Sequence, residues 1–363
     1  MTLRNLLWGT AALAAIGLAG CSGGDSGSGA TPTTTTGTTG TAPAGDKTGT
    51  TAAAKKDWKI TMIAKSTSNP VFLYAQTGAN AAAKELGEKN HVNITIDWRT
   101  PPDEDAQVQA QNIAQAVNDG ADAILVSCSD AAKVTTAIND AVGKNVPVMT
   151  FDSDAPDSKR FAFYGTDDED CGKQVMDELA KVMNEKGNYA ILGGSQTSPN
   201  IAKRIKACEE EAKKYPNMKL VTVTHHVEKP QDAAAAVLQA MNANPQIDSW
   251  AMVGGWPLFT TSLMSMDPAK VKIVSVDALP QELGYVDKGI APVLLAQSCY
   301  DWGYKSVGIL VDKLILKKDV PVINKMDLVK VTKESLGSWV GELVNKWGIK
   351  DVDPKFTAMI PKK

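Results

Sequence analysis

The sequence predicts an α/β protein built as two lobes, each a parallel sheet flanked by helices. Short apolar, β-prone runs alternate along the chain with longer stretches of helical period, the pattern of parallel strands joined by crossover helices. That alternation breaks near Gly165–Asp170, where four acids interrupt it. Ten or so strands also exceed one ordinary βα series, so two lobes divide them. Finally, polar residues gather where strands end, as at Asp152-Ser153-Asp154.

The 363 residues, 43% hydrophobic with a net charge of −3, describe a globular chain with a large core and no basic footprint for nucleic acid. Arg4 precedes an apolar run from Leu6 to Leu18 that closes on Leu18-Ala19-Gly20-Cys21, an export signal too short for a membrane-spanning helix. It resembles the lipobox of bacterial lipoproteins, in which the cysteine is acylated and becomes the first mature residue. The resemblance implies that residues 1–21 are a signal peptide and that Cys21 carries a lipid. The protein would then be exported and anchored to the cell membrane or outer membrane, facing the periplasm or cell exterior. Residues 22–57 are dominated by Gly, Ser, Thr, Ala and Pro and cannot bury enough apolar surface to offset ordering entropy. They are expected to form a disordered tether with a reach on the order of 30–35 Å.

Strands are expected at Lys59–Ala64, Val92–Trp98, Ala121–Ser127, Val146–Phe151 and Phe161–Gly165, then at Tyr189–Gly193, Leu220–His225, Ser249–Val253, Val271–Val276 and Val293–Gln297. A helix-like stretch follows each. In the first, Ala75, Ala79, Ala82 and Leu86 recur at spacings of four, three and four, placing small residues on one face that can lie close against a sheet.

Ligands of open parallel sheets bind outside the carboxyl ends of the strands. Here those ends carry Lys65 to Asn69, Ser127 with Ser129 and Asp130, and Asp152 to Asp154; in the second half, Ser195, Gln196 and Asn200, Gly254 to Trp256, and Asp277 and Gln297. A single strand-end Asp or Ser often caps a helix. Seven such ends together point to a cleft.

The segments "IAKSTSNPVFLYAQTGANAAAKELG", "GADAILVSCSDAA", "VPVMTFDSDAPDSKRFAFYGTDDEDCGKQ" and "LLAQSCYDWGYKSVGIL" resemble the type I periplasmic-binding-protein family, in its ribose-like simple-sugar branch, from Trp58 to Val331. The resemblance implies two Rossmann-like lobes joined by a three-strand hinge. The first lobe would take residues 58–164 with 298–329, and the second 165–297 with 330–363. Crossings would fall near Phe163–Asp167, Gln297–Tyr300 and Leu328–Val331. It further implies a small-molecule ligand clamped between the lobes and an ABC transporter permease as partner, with sensing through a membrane receptor as the alternative. The protein is expected to be a monomer. By matching motif, Asn69 and Phe72 hydrogen-bond and stack on the sugar, Asp152 ends the last strand before the crossing, and Asp277 and Gln297 supply the second lobe and hinge. Lys65, Asp154, Asn200 and Trp256 complete the expected ligand site.

Departures from the ribose pattern bear on the ligand. Ser153 stands where ribose binders carry arginine, no clamping arginine is expected before Lys203-Arg204, and Gly254-Gly255 precedes Trp256 where the family often has Asn-Asp. Other polyols, modified sugars or autoinducer-2 become the alternatives to ribose. Beyond the usual family end, Leu336, Trp339, Val340, Leu343 and Trp347 have amphipathic spacing and predict an added helix.

Catalysis and cofactors are not expected. The first βα turn, Lys65 to Pro70, has no glycine to let a dinucleotide pyrophosphate approach, and no G-x-S-x-G or H-E-x-x-H motif is present. Strand alternation sends His225 and His226 to opposite faces, and no second Cys/His cluster sits at metal-ligand spacing. Cys128, Cys171, Cys208 and Cys299 are irregularly spaced and read mostly as buried free thiols.

Overall fold

A computed structural model describes residues 57–362. The expected signal peptide, Cys21 and all of the tether but its last residue lie outside the described residues. The first sheet is built from β1 (Asp57–Ile63), β2 (Asn93–Trp98), β3 (Ala123–Val126), β4 (Val148–Phe151), β5 (Ala162–Thr166) and β11 (Ile323–Met326), in the order β11-β5-β4-β3-β1-β2 and parallel throughout. The second contains β6 (Gly187–Gly193), β7 (Met218–His225), β8 (Ser249–Met252), β9 (Lys272–Val276), β10 (Val293–Ala296) and β12 (Val329–Val331), in the order β12-β10-β9-β8-β6-β7. Only β12 runs antiparallel, at the edge beside β10. The two orders match position for position, so the lobes are built alike.

All ten expected strands are present. Those in sheet centres, β3, β4, β8 and β10, are buried along their whole length, which is why they read as continuous apolar runs. The strands β11 and β12 escape a reading from pattern: "INKM" and "VKV" are short, largely exposed edges with no clean alternation. The third crossing is therefore the two residues Asp327 and Leu328 between them. The other crossings are Asp167, between β5 and α4 (Asp168–Val182), and Gln297-Ser298, between β10 and α8 (Cys299–Leu310).

In the first lobe, α1 (Val71–Asn90) packs against α8 at a distance only glycine permits. A Cβ on Gly303 would lie 1.9 Å from the Ala75 carbonyl oxygen, and one on Gly78 2.0 Å from that of Tyr300. The expected Ala75, Ala79 and Ala82 are fully buried there. The helices α2 (Ala106–Asn118) and α3 (Ala131–Gly143) start on the side-chain caps of Asp105 and Asp130, so one of the strand-end acids, Asp130, does serve as a helix cap. The second lobe carries α4 and α5 (Pro199–Glu211), packed closely through Gly172, with α6 (Pro230–Ala243) and the short α7 (Leu283–Lys288).

The expected added helix is α9 (Leu336–Asn345), followed by a short α10 (Pro354–Thr357). Leu336, Trp339, Val340, Leu343 and Trp347 are all buried. The extension touches both lobes. Trp339 Nε1 donates to the Ala278 carbonyl of the second lobe at 2.7 Å, while Trp347 packs on Tyr74 and Tyr300 of the first. The four cysteines among the described residues are buried free thiols. No helix among these residues is long and apolar enough to cross a membrane.

Candidate functional site

The carboxyl ends of both sheets meet across one cleft. Asp152, just after β4, and Asp277, just after β9, both have positive φ, 58° and 75°. An L-residue pays for that backbone conformation, and Asp tolerates it better than most. Each donates its backbone N–H to the next strand, Asp152 to Tyr164 and Asp277 to Leu295, both at 3.0 Å. Both turns are thus pinned. Sparsely populated backbone held this way is characteristic of ligand clamps.

Asp152 Oδ2 accepts from Ser127 Oγ at 2.6 Å, and its Oδ1 accepts from Asn200 Nδ2 of the other lobe at 3.3 Å. Asp277 accepts from the Gly255 backbone N–H at 3.1 Å and from Gln297 Nε2 at 2.8 Å. Burial raises both carboxyls above their usual range; Lys65 and the Ser127 hydroxyl oppose this at Asp152, and Gln297 and Arg204 oppose it at Asp277. Lys65 is buried and donates to Ser198 Oγ and Asn200 Oδ1 across the cleft, at 3.3 and 3.1 Å. Glu104 and Glu228 lie 3.9 and 4.0 Å from its ammonium. Burial works against the Lys65 charge, but Glu228, Glu104 and Asp152 outweigh it and hold the pKa above the ordinary value. Glu104 is pushed up to about 9, by burial first and then by Glu228, with Lys65 opposing.

Eight of the nine expected binding residues, Lys65, Asn69, Phe72, Asp152, Asn200, Trp256, Asp277 and Gln297, line one small cavity of about 20 Å³ between the lobes. Asp154 does not line it. Its carboxylate is held by Arg160 Nε and Nη2, at 2.5 and 2.6 Å, and by Thr150 Oγ1, so it braces the turn after β4 instead.

Among the lining residues not expected from the sequence are Arg204, Glu228 and Trp302. No arginine of the second lobe stands before Lys203-Arg204, but Arg204 itself reaches the cavity, which was not anticipated from the sequence. It is buried on α5, one turn beyond Asn200, and donates to Gln297 Oε1 and Asp168 Oδ1, each at 2.9 Å. The i, i+4 spacing from Asn200 was its available signal. Trp302, on the first turn of α8, lies 6.0 Å from Phe72, centroid to centroid. Glu228 follows β7 in a loop with no periodic cue. The Gly254-Gly255 pair has a steric reason, since a Cβ on Gly254 would sit 2.4 Å from the Trp256 ring.

A model of the periplasmic binding protein domain matches residues 60–318. The chain is 29% identical to a D-apiose import binding protein of Paraburkholderia graminis over 48% of this chain and 53% of that protein. It is 26% identical to the ribose import binding protein of Bacillus subtilis over 39% of this chain and 44% of that one. The chain thus spans about half the length of these curated relatives. A solved solute-binding protein of Burkholderia graminis, in complex with D-arabinose, superposes with a TM-score of 0.73 over 79% of this chain and 99% of that one, at 23% identity.

Proposed function

The chain belongs to the periplasmic binding protein family, and from that premise we propose that its interlobe cleft captures a simple sugar or related polyol for delivery to an ABC importer. The observation that carries this is the facing of Asp152 and Asp277, each already bonded to an amide, Asn200 or Gln297, beside the rings of Phe72, Trp256 and Trp302. A carboxylate accepts from two neighbouring hydroxyls, an amide both gives and accepts, and Lys65 and Arg204 only donate, so the wall mixes donors and acceptors as a polyol does. Ring faces cover the C–H surface of a sugar. Apiose, ribose and arabinose, named for the relatives, are small and polyhydroxylated, which supports the class.

The mechanism is hinge closure at the three crossings. An open cleft exposes the strand ends, and a ligand that contacts both lobes favours the state in which all its partners are in reach. A permease then reads the closed form. On this reading the protein acts outside the cytoplasm, anchored by a lipid on Cys21 and tethered by residues 22–57.

A thermal-shift screen of the full-length protein against pentoses, hexoses, inositols, polyols and autoinducer-2 tests the ligand class, because binding to the native state alone raises stability by RT ln(1 + [L]/Kd). One compound shifting the melt by several degrees at sub-millimolar concentration is the expected result. A cooperative melt unmoved by every compound would remove the simple-sugar reading. Cys21→Ser should shift the protein from the membrane fraction to the soluble one; unchanged fractionation would remove the lipid anchor.

A further inference from the structure

A second, larger cavity of about 500 Å³ lies at the hinge, lined by residues from the crossings and from α9. Tyr164, Met326, Asp327 and Val329 come from the strands and turn of the crossings, Ser298 and Asp301 from the start of α8, and Ser338, Trp339, Glu342 and Lys346 from α9 and its end. We propose that this cavity is a binding site for a small organic cation, a primary ammonium on a short apolar body.

The charge inventory favours a cation. Lys346 Nζ contacts Asp301 Oδ2 and Glu342 Oε1, at 3.0 and 2.7 Å, so one ammonium is shared by two carboxylates. Lys325, the other basic residue in the wall, is paired at 2.7 Å with Asp167, which does not line the cavity. Asp327 pairs with no cation among the described residues. Two negative charges are thus left without a counter-charge. Asp301 is 8% exposed, and its Oδ1 has no hydrogen-bond partner; Ser298 Oγ beside it also has none. An unpaired buried acceptor is costly, and a donor would relieve it. The lysine donors are engaged while acceptors remain free, so the complement is donor-rich.

The site also has an apolar wall. Trp339 is held in place by its bond to Ala278, and with Met326 and Val329 it lines the cavity with apolar surface for a short alkyl body. No group of His, Cys, Asp or Glu among the described residues is placed to hold a metal ion, so this negative charge is spread over a space suited to something larger. Met326 belongs to the first sheet and Val329 to the second, so an occupant would touch both sides of a crossing.

The test is titration calorimetry of the full-length protein with n-butylammonium, with 1-butanol and butyrate as neutral and anionic counterparts. The expected result is saturable one-to-one binding of the ammonium and none of the others at the same concentrations. Asp301→Asn should weaken it by about tenfold or more. Because Asp301 is buried and that variant can fail to fold, Ser338→Trp, at an exposed position on the cavity wall, provides a second variant that fills the space. It should weaken the ammonium by a similar factor while leaving sugar binding in the cleft unchanged. Absence of ammonium binding, equal binding of butanol, or ammonium affinity unchanged in Ser338→Trp would each overturn the proposal.

Discussion

Asp152 and Asp277 are counterparts: each follows the fourth strand of its sheet, counted from β2 or β7, in a left-handed backbone, and each is pinned by its N–H to the neighbouring strand. The same device built twice sets two carboxylates on opposite sides of one cavity. This explains why a buried apolar strand ends on acids.

Asp152→Ala should weaken ligand binding by about 30–150-fold, the equivalent of roughly 2–3 kcal/mol for charged hydrogen bonds. Asp152→Gly should lose as much affinity yet be more stable than the alanine variant by about 1 kcal/mol, since glycine accepts positive φ without the Cβ clash. Titration calorimetry and urea melts on the two variants check both parts. Equal stability of the two would mean the backbone there is not strained.

Stability should fall as pH rises from about 4.5 to about 9. Glu104 has an ordinary value of 4.5 and is held at about 9 in the fold, so between these values the folded protein carries a proton that the unfolded chain has lost. Unfolding then releases a proton, and stability present at low pH is lost as pH climbs toward the folded value. Raised carboxyls at Asp152 and Asp277 act in the same direction. Glu104→Gln, which keeps a group able to hydrogen-bond to Glu228, should flatten the decline in melting temperature between about pH 6 and 9. An unchanged slope would place Glu104 as an ordinary ionised acid.

Gly254→Ala should reduce ligand affinity several-fold with little effect on stability. The new methyl would stand 2.4 Å from the Trp256 ring, a side chain that can move, and moving it withdraws a wall of the cleft. Calorimetry with the responding sugar distinguishes this from an unaltered site.

Gly303→Ala should be far more damaging to the fold. Its methyl would meet the Ala75 carbonyl oxygen at 1.9 Å, backbone against backbone, so α1 and α8 must separate. The cost is expected at about 3 kcal/mol or more, the upper end for overpacking. A urea melt within about 1 kcal/mol of the parent would contradict that packing.

The parts of this architecture legible in the sequence were those in which burial writes a pattern. The central strands β3, β4, β8 and β10 are apolar from end to end, and Ala75, Ala79 and Ala82 mark the helix face that α8 approaches. The edges β11 and β12 carry Lys, Asn and exposed Val and left no such trace. In the cleft, strand-end position and motif pointed to Asp152, Asp277, Gln297 and Asn69. Arg204, Glu228 and Trp302 reach the same cavity from helix turns and a loop, where only the assembled lobes make them neighbours. Asp154 shows the converse: two residues from Asp152 in sequence, it is claimed by Arg160 and Thr150.

The central claim is that one small polyhydroxylated molecule is held between Asp152 and Asp277. Titration calorimetry of the full-length protein with D-ribose, D-arabinose, D-apiose and xylitol, run in parallel on the parent and on Asp277→Ala, tests it most directly. The account predicts one-to-one binding of at least one of these to the parent and its loss, by about 30-fold or more, in the variant. No binding to a cooperatively folded parent, or equal affinity in both proteins, would contradict it.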